Sequence, residues 1–295
     1  MYNKFNKKNF EKIKIIYHKE GLTGILNLFF YFLGINFRLL NHEDKKINFF
    51  SRYFAHKFQN TIMYGPFKGV KLNYNISKSS LGAKLLGLYE QEVVDVICNY
   101  QKQKKKTQNT NLKYFIQLGS SDGFYVCSLI KKNIFEQAII FENDEMSLNY
   151  LKKNLKENNI SDERVKFFGL AKKNFINNIL ELKIKLNECF FLVDIEGDEY
   201  EILGEENLNK LNSSPLIVEM HEFYRKPHQM KQFNDFVEKN RNKFNKIFIS
   251  NRNLPNINFL NDIISSEIDK NLLISELRPY GMYWYTYNIE NEKKV

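Results

Sequence analysis

Four groups of residues have types and spacings suited to chemistry. The first is Gly119-Ser120-Ser121-Asp122-Gly123, a glycine turn that directly follows the apolar run Tyr114 to Leu118. Glycines there let the backbone approach a ligand closely, and a helix-compatible segment, Phe124 to Lys132, comes next. About twenty residues on, a second apolar run, Ala138-Ile-Ile-Phe141, ends on Glu142. An acid in that place accepts hydrogen bonds from ribose hydroxyls. The second group is Asp194-Ile-Glu196-Gly-Asp-Glu199, after the apolar run Phe190-Phe-Leu-Val193. Clustered carboxylates repel, so a cation, a basic partner or a helix N-terminus must offset them. The third is Val218-Glu219-Met-His221-Glu222, which ends the next apolar run; alternation along an extended chain puts Glu219 and His221 on one side. The fourth is Glu276-Leu-Arg278-Pro-Tyr-Gly281, where Glu276 and Arg278 form an ion pair bracing a final hairpin or contact a substrate.

From 113 onward, apolar strands alternate with helical segments. Strands fit 113–118, 138–142, 165–169, 189–195 and 215–220, and 245–250 and 282–288 suit two more. Continuous apolar runs are expected where a strand is covered on both faces. The alternation predicts an α/β fold with a parallel sheet and right-handed crossovers. An antiparallel final hairpin completes it as a Rossmann-like, seven-stranded, mostly parallel sheet with an antiparallel last strand and helices on both faces. Upstream, residues 77–100 are helical in pattern, 64–72 reads as a short hairpin, and Gln101 to Leu112 as a polar connector. The division is an N-terminal helical extension at 1–60, a hairpin-and-helix cover at 61–110 and the sheet domain at 111–295.

Ligand crevices of open α/β sheets lie outside the carboxyl ends of the strands. The first three groups therefore converge on one edge. The turn is G-x-x-x-G, not the G-x-G-x-x-G of dinucleotide enzymes, which favours S-adenosylmethionine over a pyrophosphate-bearing cofactor. Gly119, Ser120, Ser121, Asp122, Gly123 and Glu142 are its expected contacts; Asp122 either touches the cofactor or caps the helix that follows. Asp194 and His221 are the candidates for removing a proton from an acceptor hydroxyl. Alternatively, Asp194, Glu219 and His221 hold a divalent ion that acidifies it. Glu199 suits the first turn of a helix, in a structural role.

These motifs resemble the FkbM-like family of class I methyltransferases. The likeness is carried by Gly119-Ser-Ser-Asp-Gly123, Phe141-Glu142, Asp194-Ile-Glu196-Gly-Asp-Glu199 and Val218-Glu-Met-His221, with Tyr89-Glu90 ahead of the first strand, and spans roughly residues 85–222. The resemblance implies S-adenosylmethionine and methyl transfer to oxygen, often on sugars. Gln117 stands where an acid is common in the family, so Asp122 or Glu90 is the expected substitute partner for the methionine amino group. The rival readings are a nicotinamide oxidoreductase, against which the missing third glycine argues, and a scaffold of methyltransferase fold within a glycan assembly.

Composition bounds the partners. The chain has 295 residues, a formal charge of +10, and 26 Phe and 17 Tyr within a 43% hydrophobic content, enough for a large core. The acids at the expected catalytic edge argue against a nucleic-acid acceptor and for a small-molecule or glycan one. Cys98, Cys127 and Cys189 are widely spaced, with no zinc or disulfide pattern, which points to a cytoplasmic protein. Residues 22–40 are apolar but interrupted by Asn27, Asn36 and Arg38, and basic residues precede them. The expectation is peripheral membrane contact through 1–40 and no spanning helix.

Overall fold

The structure is a computed structural model. It describes residues 22–27, 29–30, 33, 42–73, 80–107, 112–221, 227–249, 260–262, 264–275 and 282–289. The basic residues before 22, Glu222, and the Glu276 to Gly281 group lie outside the described residues.

Seven strands form one sheet: β1 (Tyr114–Leu118), β2 (Gln137–Phe141), β3 (Val165–Phe168), β4 (Cys189–Val193), β5 (Leu216–Glu219), β6 (Phe244–Ile249) and β7 (Met282–Tyr287). Their order is β3-β2-β1-β4-β5-β7-β6. The first five are parallel, and β7 lies antiparallel between β5 and β6. The expected strands are all present, each within about two residues of its sequence-read bounds.

Alternation sends side chains to two separate cores. Phe115, Ile140, Phe190, Leu192, Ile217 and Trp284 face one side. Ile116, Phe141, Phe191, Val193, Val218 and Tyr287 face the other. On the first side lie α1 (His42–Lys57), α2 (Leu81–Leu86), α3 (Gln91–Thr107), α4 (Phe124–Lys131), α5 (Glu145–Glu157) and α10 (Glu267–Ser275). The second side is covered by α6 (Phe175–Glu181), α7 (Glu199–Ile202), α8 (Glu205–Lys210) and α9 (Pro227–Lys239). Helix α1 contributes Phe54 and Ala55 to the same core as the strands. Its inner side meets α2 so closely that a Cβ at Gly82 would fall 2.7 Å from Leu273 Cδ1 of α10 and 3.4 Å from Ser51 Oγ.

Three sequence readings are corrected. The helical pattern of 77–100 is two helices, because Gly87 ends α2 in a left-handed conformation and Glu90, at φ 43°, starts the chain in a new direction. The connector at Gln101 to Leu112 is helical as far as Thr107. Its Gln-Lys-Gln-Lys-Lys-Lys run is made of good helix formers, and lysines in a last turn complement the helix dipole. The hairpin at 64–72 is a loop closed by one bridge, Thr61 to Lys71, with Ile62 N–H donating to Val70 O at 2.8 Å.

Candidate active site

The carboxyl ends of β1, β2 and β4 open into a cleft of about 390 Å³. Its floor is the turn after β1. Gly119 has φ 79°, and a Cβ there would lie 1.7 Å from the carbonyl oxygen of Asp194. Only glycine lets the turn after β1 and the end of β4 touch backbone to backbone. This contact fixes the two sequence motifs against each other.

Glu142, just past β2, folds back over the turn. Its Oε2 accepts from Ser120 N–H at 3.0 Å and Ser121 N–H at 2.9 Å; its Oε1 accepts from Asn143 and Asp144 N–H at 2.9 and 2.8 Å. Ser121 holds φ 51° to present its amide. Gly119, Ser120, Ser121, Asp122 and Glu142 all line the cleft. Gly123 does not: it starts α4, and a Cβ there would strike Leu151 of α5.

Asp122 is buried and serves two structural purposes. It accepts from Phe124 N–H at 3.2 Å, capping α4, and pairs with Lys84 of α2 at 2.8 and 3.0 Å. Lys84 is 3% exposed. Its ammonium lies 4.7 Å from the Tyr89 ring and 5.5 Å from the Phe124 ring. Lys84 and Ser80, which no sequence motif marks, form a cleft wall together with Tyr89. The only signal was a lone lysine inside the apolar run Leu81-Gly-Ala-Lys-Leu-Leu. Leu170-Ala171 after β3, Ile195 and Ile202 also line the cleft, and of these only Ile195 falls within a motif.

Gln117, 3% exposed, also lines the cleft. Its amide N–H donates to Gly119 O at 3.0 Å, while its Oε1 is buried with no hydrogen-bond partner among the described residues. Glu90 is not a cleft-lining residue. Its carboxylate accepts from Tyr125 Oη at 2.6 Å behind the wall. Burial, then the Glu90 charge, push the Tyr125 phenol well above its usual range, so it remains a donor.

At the far end of the cleft, Asp194, Glu199, Glu219 and His221 meet. Glu199 is fully buried at the start of α7; it accepts from Ile195 N–H at 3.0 Å and Gly197 N–H at 2.9 Å. Its Oε1 also lies 2.8 Å from His221 Nδ1. A carboxylate is acceptor only, so Nδ1 carries the proton in that bond. Nε2 then faces Glu196 Oε2 at 3.6 Å, Asp194 Oδ1 at 3.8 Å and Glu219 Oε1 at 3.9 Å. Glu219 and His221 do point the same way, as alternation required. Ligand-capable atoms of Asp194, Glu219 and His221 lie within 4.8 Å of one another, so these three could hold a cation.

Asp194 alone of these three lines the cleft. Burial, then Glu90, push its carboxyl up to about 7, against the pull of His221. Burial pulls His221 down, but its hydrogen bond to Glu199 and the charges of Glu199, Asp194 and Glu196 outweigh this and raise it. The cysteines lie elsewhere: Cys127 and Cys189 are buried, and burial with Asp95 pushes the Cys98 thiol up to about 12, so none is a ready nucleophile.

No family model matches the chain, and no curated protein matches it. Solved structures do resemble it. The human methyltransferase 10 domain containing protein is 12% identical, with a TM-score of 0.46 over 86% of this chain and 100% of that one. The N-terminal domain of human METTL16, in complex with SAH, is 13% identical, with a TM-score of 0.45 over 85% and 84%. A chain of the fibrillarin/Nop5p complex is 11% identical, with a TM-score of 0.35 over 65% and 82%. The fold assignment rests on the strand order and pairing, a Rossmann-like, mostly parallel seven-stranded sheet with an antiparallel last strand.

Proposed function

We propose that this protein is an S-adenosylmethionine-dependent O-methyltransferase of FkbM-like type, acting on a sugar or other small hydroxyl acceptor. The observation that carries this reading is the Gly119–Asp194 backbone contact. It sets a glycine turn roofed by Glu142 beside a cleft-facing carboxylate with a pKa near neutrality. The cofactor fits what lines the cleft. Glu142 suits ribose hydroxyls, and the buried Gln117 Oε1, without a donor among the described residues, would accept from an ammonium. The cleft volume is in the range of small-molecule sites.

When bound, S-adenosylmethionine supplies an electrophilic methyl group on a sulfonium centre. The chain's own task is to position the acceptor oxygen and take its proton. Asp194 receives that proton, and its pKa near 7 suits a base working near neutral pH. Glu199 holds the His221 ring, and His221 in turn balances the charge that Asp194 gains or loses. The cleft-lining acids Asp194, Glu196 and Asp198, with the lining Lys84 already paired to Asp122, support a neutral acceptor over a polyanion.

Calorimetry tests the cofactor reading. S-adenosylhomocysteine should bind wild type, and Glu142→Ala should lose about 1.5–3 kcal/mol of that binding, the scale of a charged hydrogen-bonding group. Glu142→Gln, which keeps the shape over the turn, should lose less. Binding of NADH but not S-adenosylhomocysteine would refute the assignment. A second reading has a specific observation behind it: Asp194, Glu219 and His221 converge, with Glu199 bonded to the far ring nitrogen as in many metal sites. In that version a chelator abolishes turnover and Mg²⁺ or Mn²⁺ restores it; indifference to chelator supports Asp194 as a direct base.

A further inference from the structure

Helix α1 presents two unlike faces. Ile47, Ser51, Phe54 and Ala55 are buried against the body of the protein. Among the described side chains, the outer face carries Lys45, Phe49, Arg52, Tyr53, His56 and Lys57, all exposed and none acidic. Phe49 and Tyr53 are 63% and 43% exposed and stack on each other with ring centroids 6.3 Å apart. Lys57 folds along them, its ammonium 5.3 Å from the Tyr53 ring and 3.3 Å from its hydroxyl. Burying two aromatic rings would be the ordinary outcome of folding; here they stand outside, between cations.

A second exposed apolar row precedes α1. Residues 22–27 are helical, and Leu22, Leu26, Phe29 and Leu33 are 69%, 38%, 56% and 56% exposed. Their spacing of four, three and four is that of one helix stripe. Charge points the same way. Residues 1–57 hold eleven Lys and Arg against four Asp and Glu, a net +7 out of the chain's +10 in about a fifth of its length. Aliphatic and aromatic side chains beside Lys and Arg are what an anionic bilayer surface selects: apolar groups enter the headgroup boundary while the cations stay at the phosphates. A nucleic-acid strand would use the rings and the cations but gives the aliphatic row no partner. Among the described residues, no helix is long and apolar enough to cross a membrane.

We propose that the outer face of α1, with the row Leu22, Leu26, Phe29 and Leu33, docks this protein on the surface of an anionic lipid bilayer. Helix α1 rests on α2, and α2 carries Lys84 of the cleft wall. The docking face is therefore one short helix away from the site, and the proposal is independent of what that site does.

The test is sedimentation of the full-length protein with phosphatidylcholine vesicles, with and without about one-third phosphatidylglycerol. The protein should pellet with the anionic vesicles and stay in solution with the neutral ones. Raising salt should weaken binding, since it screens the attraction of Lys and Arg to the anionic surface. Leu26→Glu/Phe29→Glu and Phe49→Glu/Tyr53→Glu should each cut the partition coefficient at least about tenfold. All four positions are exposed, so unfolding temperatures should match wild type; a variant that shifts them is replaced by Phe49→Ser/Tyr53→Ser. Failure to pellet with anionic vesicles, or full binding by both variants, overturns the proposal. So does light scattering that shows a dimer which the same substitutions dissolve, or tight binding to single-stranded RNA in place of vesicles.

Discussion

Burial, then the charge of Glu90, makes Asp194 hold its proton to about pH 7 against the pull of His221, and Glu196 and Glu199 add to the rise. A carboxyl raised in the folded state from its ordinary value near 4 favours folding while protonated. That contribution is complete below about pH 4 and is lost as pH rises through about 7. Asp194→Asn should therefore melt close to wild type at pH 5 and above it at pH 8, as differential scanning fluorimetry would show. The same variant should lose methyl transfer by about 10²- to 10⁴-fold. Wild-type turnover should rise through an acid limb near pH 7. A variant less stable than wild type at pH 8 would mean that the ionised carboxylate is held by bonds and not strained by repulsion. The sequence disclosed Asp194, His221 and Glu142 because each ends an apolar strand, where side chains must face the crevice. Lys84 escaped motif reading because its importance lies in burial, and burial of a polar residue is not visible in a local pattern.

Among the elements, α2 carries the most consequence for its six residues. Lys84 and Asp122 are both nearly solvent-free, with 4% and 8% of their side-chain surfaces accessible, and their ion pair fastens α2 to the start of α4. Removing one member of a buried pair typically costs about 3–5 kcal/mol, because the other charge is left uncompensated. Lys84→Met should destabilise on that scale in urea unfolding, and adding Asp122→Leu should recover most of the loss. A double variant no better than the single one would show that the two charges act independently. This wall was only half legible from sequence. Leu81 to Ile97 has a helical period throughout, and periodicity gave no notice of the break at Gly87 and Glu90. The lysine run after Gln101 looked like a loop because of its polarity, yet its residues are sound helix formers, and Gln101 ties the next connection by donating to Leu112 O at 2.7 Å and Ile134 O at 2.8 Å.

The molecule as a whole is a sheet with two cores, and this was the most readable level. Strands covered on both sides must be apolar throughout, so Phe190 to Val193 and Leu216 to Val218 announced themselves without alternation. Ligand binding to the folded form alone shifts the whole unfolding equilibrium. S-adenosylhomocysteine at a hundred times its dissociation constant should stabilise the protein by about 2.7 kcal/mol. A thermal scan that rises with S-adenosylhomocysteine and not with NADH would register it; equal response to both would count against the cofactor assignment. The strand order has a further effect, on how the chain reaches this state. Strand β7 pairs with Leu216 to Glu219 on one side and with all of β6 on the other, yet it is the last of the seven to be synthesised. Until it emerges, β5 is an open edge of buried-type residues, and β6 has no neighbour in the sheet. A nascent chain is therefore adhesive along β5 until β7 has emerged. Closure waits for one late strand to enter between two earlier ones.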